Sequence, residues 1–141
     1  MVKQFEIEWP DFNVTITADL NEEENRKLCA DFWNALPFET IFAASMSAGE
    51  MFKVPVPVSL ADETGAKLRH FPAEPPGSIL SLGFMGSLLV KYGVVAEPFK
   101  IPRVGLISNA DLVKFQPVAI KLRDAYFFTK VVNKAFFRRK K

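Results

Sequence analysis

The chain has one cysteine and one histidine in 141 residues, and that scarcity excludes a good deal. Cys29 alone closes no internal disulfide, and Cys29 with His70 falls short of the three or four Cys and His ligands of a zinc or iron–sulfur centre. No metal and no other cofactor is therefore expected. Long apolar runs are missing too, since none approaches the roughly 20 residues needed to span a bilayer. The opening Met1-Val2-Lys3-Gln4-Phe5-Glu6 lacks the apolar centre of a secretory leader. The expectation is a soluble chain of the reducing cytoplasm. Nucleotide phrases are absent as well: no Gly-x-Gly-x-x-Gly follows a strand pattern and no Gly-Lys-Ser/Thr occurs. Gly83-Phe84-Met85-Gly86 reads as a turn between strands.

Positive charge is scarce over most of the length. The formal net charge is +2, yet residues 121–141 hold eight Lys or Arg against one acid, Asp124, so the preceding 120 residues are net acidic. An acidic body repels phosphate, and no basic stripe interleaved with aromatics runs through it, so nucleic acid is not an expected partner. What the chain does have is apolar bulk: 49% hydrophobic residues with 14 Phe suffice for one core at the size of one domain.

Periodicity gives the elements. Phe5, Ile7 and Trp9 share one parity and Gln4, Glu6 and Glu8 the other, as in a half-buried strand. Pro10-Asp11-Phe12-Asn13 carries turn chemistry, and Val14, Ile16 and Ala18 then alternate with Thr15, Thr17 and Asp19, completing a hairpin. Asn21 followed by Glu22, Glu23 and Glu24 predicts a helix start, with acids where the dipole favours them. Leu28, Cys29, Phe32, Trp33 and Leu36 recur at helical spacing, and Pro37 ends the run. Cys29 on that face is expected to act as a small buried hydrophobe.

Short β-like runs follow at 38–45, 51–58, 78–84, 87–92 and 103–107, seven strands with the hairpin. Pro55 and Pro57 sit at alternate positions, so both missing N–H groups face one way and the strand is expected to sit at an edge or bulge there. Many short strands with one early helix predict a mainly β fold, a closed or nearly closed barrel with a helix plugging an end. Helical spacing returns from Asn109, interrupted by Pro117. Over 124–141 there is no Pro or Gly, and Ala125, Phe128, Val132, Ala135 and Phe136 fall on one helical face. The division expected is a barrel domain over 1–120 and a basic amphipathic C-terminal helix over 121–141. Its apolar face needs a cover, for which a second copy of the chain or the barrel itself is the first expectation and an anionic membrane surface, through Arg138, Arg139, Lys140 and Lys141, the second.

The order of these elements and several phrases resemble the cyclophilin-like fold. The phrases are the helix running into Pro37-Phe38-Glu39, Ala48-Gly49-Glu50-Met51-Phe52, Pro76-Gly77-Ser78-Ile79 and Leu89-Val90-Lys91-Tyr92-Gly93. More narrowly, the chain resembles a small bacterial cyclophilin-like family to which the N-terminal part of cucumopine and mikimopine synthases is similar. That resemblance implies condensation of an amino acid with a 2-oxo acid by imine formation and ring closure, without a redox step. It departs from prolyl isomerases, whose Phe-His-Arg phrase has only the inverted Leu68-Arg69-His70-Phe71 as a counterpart, so prolyl isomerisation is not expected.

Six residues are the candidates for chemistry. Glu50, beside a glycine at a strand end, is a candidate general acid or base if burial tunes it, against the alternative of a solvated turn carboxylate. His70 is the sole imidazole and a second proton carrier, or else a surface residue. Lys53 and Arg103, with Lys91, lie near strand ends and would suit a small carboxylate-bearing molecule, or simply face outward. Tyr92 before Gly93 would hydrogen-bond a ligand or cap the core. The reading is a cofactor-free enzyme on a barrel; the alternative is a non-catalytic module binding a ligand or peptide.

Overall fold

A computed structural model describes residues 1–60 and 66–141. The chain runs β1 (Gln4–Trp9), β2 (Val14–Leu20), α1 (Arg26–Ala35), β3 (Phe38–Ala44), β4 (Gly49–Pro55), β5 (Leu68–His70), β6 (Ser78–Leu82), β7 (Ser87–Val95), β8 (Lys100–Ile107), α2 (Asn109–Asp124) and β9 (Asn133–Arg139). A π-type turn, Ala125–Thr129, prolongs α2. The strand order β2-β1-β9-β3-β4-β7-β6-β8 closes on itself because β8 also pairs with β2. The result is the expected barrel, eight-stranded and antiparallel throughout, with β5 added on β8 where β2 ends.

The hairpin follows its alternation. Phe5, Ile7 and Trp9 are fully buried, and β1 pairs with β2 from Gln4↔Asp19 to Trp9↔Val14. Asn13 takes the left-handed conformation at the turn, which asparagine tolerates better than most residues. The two helices seal opposite ends. Phe32 of α1 meets Phe5 and Phe38 at the starts of β1 and β3, whereas Phe115 of α2 stacks on Trp9 at the end of β1. Between them Phe42, Phe52 and Phe137 fill the lumen with rings 5.4 to 6.2 Å apart. The barrel interior is therefore a packed core, and a ligand has to bind at a rim or on the wall.

Two expectations about helices need correction. Helix α1 begins at Arg26, after a turn over residues 22–24, and Asn21 does not cap it. The Asn21 side chain instead donates through its amide nitrogen to Glu24 Oε1 and to the Arg103 carbonyl, which ties the turn to β8.

The second correction is larger. Helical structure extends only through Thr129, and 133–139 is strand β9, lodged between β1 and β3. Asn133, Ala135 and Phe137 point inward while Lys134, Phe136 and Arg138 face out, a period of two that the paired phenylalanines disguise as a helical face. Its basic residues are bound to the barrel: Arg138 bridges Glu6 and Glu8, and Arg139 donates to the Trp33 carbonyl. Residues 121–141 are thus not a separate helical unit, and the helix expected to pair two copies or to lie on a membrane is absent beyond Thr129. Among the described residues no helix is long and apolar enough to cross a membrane.

The edge or bulge expected at Pro55 and Pro57 is instead a strand end: β4 lies inside the sheet and stops at Pro55, which pairs with Ser87 of β7, and Pro57 falls beyond it. β3 joins β4 only at Ala43↔Lys53 and Ala44↔Phe52 and is unpaired with it near the prolines.

Candidate functional site

The rim at the α2 end carries an irregularity between β4 and β7. Gly49 pairs with Val95 and Met51 with Lys91, so the single residue Glu50 faces three, Tyr92, Gly93 and Val94. Such a bulge re-aims the side chains on it. Gly49 holds φ at 120° with Val94 O so near that a Cβ would sit 2.5 Å from it. Gly93, with no side chain, leaves room for the Glu50 carboxylate to lie across it. Oε1 of Glu50 accepts the Val94 N–H at 2.9 Å. Among the described residues Oε2 has no hydrogen-bond partner.

Beside Glu50 stands Tyr92, 6% exposed and stacked on Phe52 at 4.7 Å. Burial pushes the Tyr92 hydroxyl above its ordinary range; Arg123 opposes that, and Glu50 and Asp124 add to it. The phenol therefore stays protonated at neutral pH and serves as a donor. Arg123 lies in the last turn of α2, and its Nε and Nη2 both donate to Asp124 Oδ1. The rim thus assembles Glu50, Tyr92, Arg123 and Asp124 from two strands and a helix.

Glu50 and Tyr92 are the only two of the sequence candidates that meet. His70 is exposed on β5 opposite Lys100. Lys53 faces outward, away from Phe52 and Val54, with Nζ 3.9 Å from Met85 Sδ. Arg103 makes a two-pronged pair with the buried Glu74. Lys91 is 3% exposed and donates to the carbonyls of Phe71, Pro72 and Glu74, tying the proline-rich loop to the barrel wall.

Arg103 belongs to a charged cluster around that loop. Glu74 also faces Arg69, whose guanidinium forks onto Glu24. Burial works against the Glu24 charge, but hydrogen bonds from Arg69, Asn21 and Lys67 outweigh it and hold the carboxyl at about 2, against 4.5 unperturbed. These pairs fasten the turn before α1, β5, β8 and the 71–77 loop together. Sequence reading missed Arg123 and Asp124, which it placed in the basic tail helix; the signal was their position directly after Leu122, the last buried residue of α2. Cys29 is buried, with Sγ 3.6 Å from the Val104 carbonyl. Among the described residues no three His, Cys, Asp or Glu side chains stand together as a metal-binding group.

No family model matches the chain, and no curated protein matches its sequence. Solved structures do. The chain is similar to McbB, solved in complex with tryptophan, with 25% identity and a TM-score of 0.89 over 96% of this chain. It spans 44% of the McbB chain. It also shares a fold with the hypothetical protein AF2241 from Archaeoglobus fulgidus, at 11% identity and a TM-score of 0.61, covering 99% of this chain and 95% of that one.

Proposed function

We propose that this chain binds a small molecule carrying an amine and a carboxylate at the α2-end rim and condenses such an amine with a 2-oxo acid there, without a cofactor. The observation that carries the reading is Glu50. It is half-buried, one oxygen is anchored on the Val94 N–H, and the other is left to work beside a protonated phenol. A carboxylate fixed by one oxygen keeps its second at a defined place, as proton transfer in a transition state requires. The likeness to McbB adds support, because tryptophan is a small amine with a carboxylate.

The steps need only proton movement. The ligand's ammonium gives one proton to Glu50, the freed amine nitrogen attacks the carbonyl carbon, a proton moves from nitrogen to oxygen, and Glu50 returns its proton to the hydroxyl, which leaves as water to give an iminium. A ring carbon of the amine's side chain then adds to the iminium carbon. The proton displaced from that ring carbon passes to Glu50, and no electrons are exchanged with an oxidant. Tyr92 donates a hydrogen bond to the carbonyl or leaving oxygen. His70, Lys53 and Arg103 take no part, each being held on another face or by another partner.

The test is mass spectrometry of the purified protein incubated with histidine and 2-oxoglutarate, then with tryptophan and other amines and 2-oxo acids. A product lighter than the summed reactants by one water is expected with the wild type. Glu50→Gln should form it at least a hundredfold more slowly while still binding the amine. Binding of the amine with no product anywhere in the panel would leave a ligand-binding module instead. Equal turnover by the Glu50→Gln variant would remove Glu50 from the chemistry.

A further inference from the structure

We infer that Arg123 is the specificity-determining residue of the rim, receiving the ligand's carboxylate so that the site takes an α-amino acid in preference to the bare amine. The inference rests on the reading of the Glu50 rim as an amine site and names the group that reads the rest of the ligand.

The arginines differ in what they hold. Arg69 forks onto both oxygens of Glu24, Arg103 onto both oxygens of Glu74, and Arg138 spans Glu6 and Glu8. Arg123 instead directs two nitrogens at one oxygen of its own sequence neighbour, Asp124, which is itself 46% exposed. A guanidinium pairs best with the two oxygens of one carboxylate in parallel. That parallel pairing is not made at Arg123, whose other side-chain hydrogen-bond partner is the neutral Tyr92 hydroxyl. The side chain is one-third exposed and within electrostatic reach of both Tyr92 and Glu50.

The charges around it match an amino acid. Glu50 and Asp124 flank Arg123, so the rim carries two negative charges and one positive. An ammonium settles against the carboxylates while the ligand's own carboxylate completes the Arg123 fork. The Tyr92 hydroxyl, hydrogen-bonded to Arg123, adds a neutral polar group beside it. A bare amine satisfies only half of this arrangement and leaves the guanidinium as it is.

Calorimetric titration of the whole chain with tryptophan and with tryptamine, which lacks the carboxylate, tests the inference. The wild type is expected to bind tryptophan at least tenfold more tightly. Arg123→Gln should bring the two affinities together by weakening tryptophan alone, and Arg123→Lys should restore part of the difference. Thermal unfolding of both variants near the wild-type midpoint is the accompanying expectation for a side chain exposed to this extent. A full preference for tryptophan surviving in Arg123→Gln overturns the role of Arg123 and leaves the Glu50 reading standing. Failure of the wild type to bind either compound overturns both.

Discussion

The carboxylate of Glu50 lies across the bare Cα of Gly93, and the two residues fit only because one of them has no side chain. A Cβ at position 93 would come within 2.7 Å of Glu50 Cδ. The atoms in the way belong to a side chain that can swing aside, so Gly93→Ala is expected to cost about 1 kcal/mol of stability and to displace Glu50 from the Val94 N–H. Gly49→Ala meets backbone at 2.5 Å and a φ of 120°, so about 3 kcal/mol is expected there. Urea unfolding of the two variants compares them, and a milder effect at Gly49 would contradict this account of the bulge.

Arg103 is expected to matter for stability and not for ligand binding. Removing it leaves the Glu74 carboxylate, only 6% exposed in its side chain, short of its forked partner. Breaking a buried pair from one side costs about 3–5 kcal/mol. Arg103→Ala should therefore lower the unfolding free energy by about 3 kcal/mol, with tryptophan affinity unchanged in the fraction that remains folded. A stable variant with lost affinity would place Arg103 at the site after all.

The charged cluster also predicts a response to acid. Glu24 has its folded-state pKa at about 2 against 4.5 unperturbed, so between those values the unfolded chain binds more protons and stability falls as pH falls. The contribution is fully present above about pH 4.5 and amounts to about 3 kcal/mol at most. Denaturation of the wild type and Glu24→Gln at a series of pH values should show the wild-type advantage at pH 6 shrinking through pH 4 and 3. A difference between them that stays constant with pH would count against this pairing.

Phe137 and Phe128 separate a strand from a helical tail. Phe137 is fully buried among Phe5, Phe32, Phe38 and Phe42, whereas Phe128 is 78% exposed. Phe137→Ala is expected to cost about 3–5 kcal/mol, and Phe128→Ala no more than about 0.5 kcal/mol. Chemical denaturation of each variant decides it; the reverse order is what a helix with Phe128 at its docking face would give.

The parts of this fold that are written locally are the ones the sequence makes legible. The hairpin shows in the parity of Phe5, Ile7 and Trp9, and the end of α1 in Pro37. Strand β5 is three residues long and carries no period at all. Strand β9 has a period of its own, but Ala135, Phe136 and Phe137 satisfy either repeat, and only the gap between β1 and β3 decides. The site divides in the same way. Glu50 draws notice from its neighbour Gly49, but its anchor at Val94 is 44 residues away and is set by the β4–β7 register. Arg103 looks like a free cation until Glu74 is brought to it by the loop that Lys91 holds down.

Strand β9 also fixes the order in which the molecule becomes whole. Ribosomes deliver β1 and β3 long before residues 133–139, and both must wait with an open edge on the same gap. Through that interval the aromatic lumen is a slit sheet, without the strand that turns it into a ring. Partly made chains of this kind are the ones that stick to one another or call for a chaperone. The late strand therefore works as a clasp, and a chain interrupted before it should meet the cell's quality control as an unfinished barrel.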